Sequence, residues 1–161
     1  RNDFKIILDA LSDLGDDFGI LITKANADDG GRLLNQEIKH FTSKNKNAKS
    51  YDALGQYLYY NCINIFDCVV GNSSSGLFEV PSFKKPTINI GDRQKGRIKS
   101  TSVIDCEVNK KNILEAISRA LSMNCEDIVN PYGEGKSAEK IVSVLENINI
   151  KKIPLQKHFY S

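Results

Sequence analysis

No stretch of this sequence approaches the roughly 20 apolar residues that span a bilayer, so no membrane-crossing helix is expected. The four cysteines, Cys62, Cys68, Cys106 and Cys125, include no Cys-x-x-Cys pair. Three of them lie in apolar stretches where a reduced thiol behaves as a small hydrophobe, which argues against metal or disulfide roles. An excess of charge of one sign is missing too. The 22 basic and 20 acidic residues are interspersed and sum to a formal +2, so no broad basic field recommends nucleic acid as a partner. There is no internal repeat and no low-complexity tract. The N-terminal "RNDFKIILDALSDLGDDFG" carries too many acids for a signal peptide, and a cytoplasmic location is expected. Because the sequence begins at Arg1, inside what reads as a helix, it is expected to be an excised piece.

What is present is a soluble-type composition: 161 residues, 40% hydrophobic, enough for one domain over residues 1–161 with a real core. Phe4, Ile7, Leu8 and Leu11 recur at helical spacing, and Gly15 ends that run. "FGILITK" (18–24) reads as a strand, followed by a helix with Leu34, Ile38 and Phe41 on one face and a polar end, "SKNKNAKS". Leu54, Leu58, Cys62 and Ile65 mark a third helix. "DCVVG" (67–71), "PTINI" (86–90) and "VIDC" (103–106) are too short for helices and read as strands. A short helix to about residue 84, one through Ile113, Leu114, Ile117 and Leu121, and a last one over 137–148 complete the series. "NPYGEGKS" (130–137) reads as a linker to that last helix. Strands alternating with helices predict a Rossmann-like α/β fold: a parallel sheet with helices on both faces.

In such a sheet ligands collect at the carboxyl ends of the strands. "GNSSSG" (71–76) follows a strand and opens a helix. Gly71 and Gly76 would let backbone approach a ligand, and the hydroxyls of Ser73, Ser74 and Ser75 can cap the helix or bond phosphate oxygens. Capping by Asn72 or a serine is the plainer alternative. The stretch is neither a GxGxxG fingerprint nor a Walker loop, which needs a Lys where Leu77 stands. Glu79 can accept hydrogen bonds from the vicinal hydroxyls of a ribose, or simply favour a helix N-terminus. "GDRQKGR" supplies Arg93, Lys95 and Arg97 after the next strand, where arginine can fork onto phosphate; otherwise it is a solvated charge run. Together these elements describe a nucleoside diphosphate pocket.

"GNSSSGLFEVPSFKKPTINIGDRQKGR" (71–97), with "ITKANADDGGR" (22–32) and "STSVIDC" (100–106), closely resembles the hydrolysing UDP-N-acetylglucosamine 2-epimerases of sialic and nonulosonic acid synthesis. The resemblance runs from about Phe4 to Leu155. It implies the C-terminal, UDP-holding half of a two-domain, glycosyltransferase-B-like enzyme that needs neither cofactor nor metal. By matching positions it implies that Ser73 and Ser74 contact the diphosphate, Glu79 bonds the ribose, Arg93 joins the UDP site, and Asn26 and the backbone near Leu54 line the nucleotide side. The implied reaction eliminates UDP and adds water to give free N-acetylmannosamine, or a diacetamido analogue. Its acid and base groups belong to the N-terminal domain and hinge, and neither His40 nor His158 matches them, so the segment alone is expected to be inactive. The expected partners are the UDP-sugar and that missing domain; a homo-oligomer of the full-length protein is left open. "NADDGG" does not fit a calcium loop. A UDP-sugar-dependent glycosyltransferase domain or a catalytically silent nucleotide-binding module are the alternatives.

Overall fold

A computed structural model describes residues 2–25, 30–133 and 135–149. Among the described residues five short strands carry the fold: β1 (Ile20–Thr23), β2 (Ala48–Tyr51), β3 (Val69–Gly71), β4 (Thr87–Ile90) and β5 (Val103–Cys106). All three pairings, β1 with β2, β3 with β4 and β4 with β5, are parallel. The helices are α1 (Asn2–Ser12), α2 (Gly31–Lys44), α3 (Gly55–Ile65), α4 (Ser75–Phe78), α5 (Lys110–Leu121) and α6 (Ser137–Asn147).

The alternation of side chains along β4, buried on both faces, and β5 sorts the layers. Ile88, Ile90, Ile104 and Cys106 point to one face, where they form the main core with Ala10 of α1 and with Ile113, Ala116, Ile117 and Ala120 of α5. Thr87 and Asn89 point to the other, where the Thr87 hydroxyl donates to the Gly76 carbonyl of α4 at 3.0 Å. Helices therefore cover both faces, as parallel strands require. α5 starts cleanly because the Asn109 side chain accepts the Asn112 N–H at 2.8 Å, an N-cap bond. A smaller core of Leu8, Phe41 and Ala48, with Ile20 and Ile22, holds β1 and β2. Burial raises the Cys106 thiol pKa and, with Asp67 nearby, pushes that of Cys68 up to about 11; at neutral pH both are uncharged packing groups.

Several expectations need correction. The strands form a two-stranded and a three-stranded sheet rather than one. β3 offers only three residues, all laddered to β4, and the two halves are joined by α1, whose Leu11 packs against both cores. The polar "NAKS" is not a helix end but the start of β2, an edge strand in which Ala48 alone is buried; pairing with β1 overrides its weak β-propensity. The short helix after β3 stops at Phe78 and continues as a 3-10 turn, Val80–Phe83, because Pro81 cannot donate to Leu77 and its ring would clash there. β4 reaches β5 through turns without a helix. In α3, Leu58 and Ile65 are exposed and Ile63 is buried, so its inward face is rotated from the expected one. α6 has apolar Ile141, Val144 and Leu145 exposed and no buried residue. No described helix is long and apolar enough to cross a membrane.

Candidate functional site

β3 and β4 are adjacent, so the serine turn and the basic loop leave the same sheet edge side by side. They are also bonded to each other. The side chain of Gln94, 2% exposed, donates from Nε2 to the Asn72 carbonyl at 2.7 Å. This buried amide seats the loop that carries Arg93 onto the loop that carries the serines.

Within the serine turn the first amides of α4 are largely consumed: Gly76 N–H bonds Ser73 O, and Leu77 and Phe78 N–H bond Ser74 O. Ser75 N–H makes only a long 3.4 Å contact with Ser73 Oγ. No side-chain cap exists at Ser74, so the capping alternative is not realised there. α4 has four residues, too few aligned peptides for a full macrodipole, and the hydroxyls of Ser73 and Ser74 keep their protons for donation to a ligand. Gly76 has a role other than ligand approach. A Cβ on it would lie 2.5 Å from Thr87 Cγ2, so the glycine is what lets α4 lie on β4.

α3 supplies two residues that the sequence pattern did not single out. The hydroxyl of Tyr59 hydrogen-bonds that of Ser75. Burial, opposed by that bond and reinforced by Glu79 and Tyr60, raises the Tyr59 pKa, so the phenol stays neutral. The hydroxyl of Tyr60 donates to Glu79 Oε1 at 2.9 Å. Glu79 stands between α4 and the 3-10 turn, at the wall of an open cleft of about 610 Å³ that Tyr60, Phe78, Phe83, Asn130 and Tyr132 also line. The segment read as a mere linker therefore walls this cleft. Asn130 Nδ2 donates to Phe78 O and Ser82 Oγ, each at 2.7 Å, and the Tyr132 hydroxyl donates to Ile98 O at 2.9 Å.

The cations of the basic loop differ in their commitments. Arg97 lies over the Phe78 ring, 5.4 Å from its centroid, in a cation–π contact, and Tyr132 meets the same ring edge-on. Lys99 holds both oxygens of Asp105 at 2.7 Å, with Asn89 Nδ2 on one of them. Burial would raise the Asp105 pKa, but the bonds from Lys99 and Asn89 and the Lys99 charge outweigh it, and the carboxyl sits below its ordinary range. Arg93 and Lys95 are exposed, and no ion pair among the described residues uses them.

A family model for UDP-N-acetylglucosamine 2-epimerase matches residues 1–146. The chain belongs to the UDP-N-acetylglucosamine 2-epimerase family. It is 39% identical over 144 residues to the GDP/UDP-N,N'-diacetylbacillosamine 2-epimerase (hydrolyzing) of Campylobacter jejuni, covering 87% of this chain and 37% of that protein. It is 34% identical over 163 residues to the polysialic acid biosynthesis protein P7 of Escherichia coli, covering 96% of this chain and 40% of that protein. It thus spans about two fifths of these relatives. In three dimensions it resembles the Methanocaldococcus jannaschii UDP-GlcNAc 2-epimerase solved with UDP-GlcNAc and UDP, with TM-score 0.72 at 20% identity, over 91% of this chain and 41% of that one. It also resembles the Staphylococcus aureus MnaA structure with UDP, with TM-score 0.71 at 18% identity, over 89% of this chain and 40% of that one. At those identities the likeness speaks for a glycosyltransferase-B-like fold alone.

Within this epimerase-family fold, Ser73 and Ser74 lie on the turn that leaves β3, Arg93 on the loop that leaves β4, and Glu79 between α4 and the 3-10 turn. Leu54 is the residue before α3, the helix that brings Tyr59 and Tyr60, and is half-buried. Asn26 lies outside the described residues, as does His158; His40 is exposed on α2. Missing from the sequence reading were Tyr59, Tyr60, Gln94 and Tyr132. "YLYY" (57–60) offered a signal, three phenols in one helix, but its apolar spacing directed attention to Leu58.

Proposed function

We propose that this chain is the C-terminal, UDP-binding domain of a hydrolysing UDP-N-acetylglucosamine 2-epimerase, acting on UDP-N-acetylglucosamine or a diacetamido analogue. Two turns joined by Gln94, one bearing hydroxyls and the other a free arginine, support it: that pairing suits a diphosphate. Ser73, Ser74 and Arg93 hold the phosphates, Glu79 accepts the ribose hydroxyls, and Asn26 and the Leu54 backbone border the nucleotide. The name of the Campylobacter relative supports the diacetamido sugar as one substrate to try.

In the reaction a base removes the proton at sugar C2, the C1–O bond breaks, and UDP departs with the electron pair, leaving a 2-acetamidoglucal. Water then adds across the double bond, hydroxyl to C1 and proton to C2, and releases the 2-epimeric free sugar. The proton-transfer groups belong to the remainder of the enzyme. What this domain contributes is a set of donors fixed where negative charge develops on the leaving phosphate.

The test is the full-length protein incubated in D₂O with each UDP-sugar. Release of UDP together with a free sugar carrying deuterium at C2 is expected. A glycoside formed on an acceptor, or retention of the C2 proton in the product, overturns the assignment.

A further inference from the structure

The Glu79 main chain is held from both sides, its N–H on Ser75 O at 2.9 Å and its carbonyl on Ser82 N–H at 3.0 Å. That leaves the carboxylate's direction to the side-chain torsions, and one group controls it. The Tyr60 hydroxyl accepts from Gln56 Nε2 at 3.1 Å and donates to Glu79 Oε1 at 2.9 Å. A phenol has a single proton; with Gln56 giving to its oxygen, that proton is committed to Glu79. The ring cannot swing away easily, because it packs on Phe83 with centroids 5.3 Å apart and is half-buried at the cleft wall. Oε1 keeps one lone pair and Oε2 both, which is the acceptor capacity that two adjacent hydroxyls demand.

From this we infer that Tyr60 is a positioning residue: through its hydrogen bond to Glu79, steered by Gln56, it sets the carboxylate for a vicinal diol and so makes the site select ribonucleotides over deoxyribonucleotides. The inference rests on the UDP reading above. Tyr60 acts on the ligand only through Glu79, so its loss weakens the grip on the sugar and leaves the phosphate grip intact.

Calorimetry on the full-length protein with UDP and 2′-deoxyuridine diphosphate separates the possibilities. The parent protein is expected to bind UDP at least tenfold more tightly than the deoxy ligand. Tyr60→Phe keeps the ring on Phe83 and removes only the hydroxyl; it should cost about five- to tenfold in UDP affinity, the scale of one hydrogen bond, and under about twofold for the deoxy ligand. In a Glu79→Ala background the same change should have no further effect. Gln56→Ala, which leaves Tyr60 in place, should show the same ligand pattern with a smaller loss. Equal losses for both ligands, or none for UDP, overturn the role of Tyr60. A parent protein that binds the two ligands equally overturns the contact of Glu79 with the diol and the role of Tyr60 with it, and one that binds no UDP overturns the UDP reading itself; both failures are visible before any variant is made.

Discussion

The serine turn and the basic loop leave neighbouring strands, yet they are built in opposite ways. In the turn and the short helix it opens, most groups are tied down: Ser75 to Tyr59, Glu79 to Tyr60, the Asn72 carbonyl to Gln94, and Gly76 flat against Thr87, with the hydroxyls of Ser73 and Ser74 left to donate. In the loop the backbone is anchored by buried Gln94 and by Lys99 on Asp105, while Arg93 and Lys95 stand free in solvent. The difference teaches how such a site divides its work. Neutral donors and the carboxylate are useful only when preorganised, because a misplaced hydrogen bond is worth little. A guanidinium attracts phosphate over a longer range and can adapt to it.

The largest expected effect comes from breaking the rigid side. Gly76→Ala drives a methyl into Thr87, which is 2% exposed and has little room to yield. A loss of about 2–3 kcal/mol in chemical denaturation is expected, and an unchanged midpoint would show that α4 is not pinned to β4. Next comes the adaptable side. Arg93→Ala should weaken UDP binding by about 2 kcal/mol, the range of a charged hydrogen bond, with little change in melting temperature. Arg97→Ala, already engaged with Phe78, should change affinity far less. Equal losses from the two arginines in calorimetry would erase the distinction between a free and a committed cation.

Gln94→Ala tests the seam between the two turns. It deprives Asn72 O of its donor and should destabilise by about 1 kcal/mol, while raising the Arg93-dependent part of the UDP dissociation constant; a variant with parental stability and binding removes the seam from the account. Smallest is the pH effect of Asp105. Its folded pKa lies below the ordinary 3.8, so its contribution is intact above that value and drains away as pH falls through the lower, folded one. Asp105→Asn should therefore flatten the acid limb of the melting-temperature profile below about pH 4, and an identical limb in both proteins would show that the Lys99 pair contributes nothing.

Much of this was legible in local sequence. The period of α2, with Ile38 and Phe41 buried, and of α5, with Ile113 and Ile117 buried, came straight from apolar spacing. So did the three strands after residue 67, each a short apolar run closed by a turn. "GNSSSG" and "GDRQKGR" announced themselves because serines, glycines and cations interrupt that core. β2 stayed hidden, since an edge strand that buries only Ala48 needs no hydrophobic pattern. The inward face of α3 was misjudged because Leu58 and Tyr59 or Tyr60 satisfy the same period from different starting points, and tyrosine carries a polar tip that periodicity counts poorly.

By itself, then, the sequence determined the alternation of strands and helices, the parallel α/β class, and which two turns carry polar groups at a sheet edge, because each of these follows from spacing within about fifteen residues. The tertiary structure decided who holds whom: Tyr60 reaches Glu79 across 19 positions, Gln94 reaches Asn72 across 22, and Asn130 reaches Phe78 across 52. Hydrogen bonds of that separation depend on how whole elements pack, and no local pattern encodes the rotation of a helix or the path of a loop. The same is true of Gly76, which read as room for a ligand and proved to be room for β4.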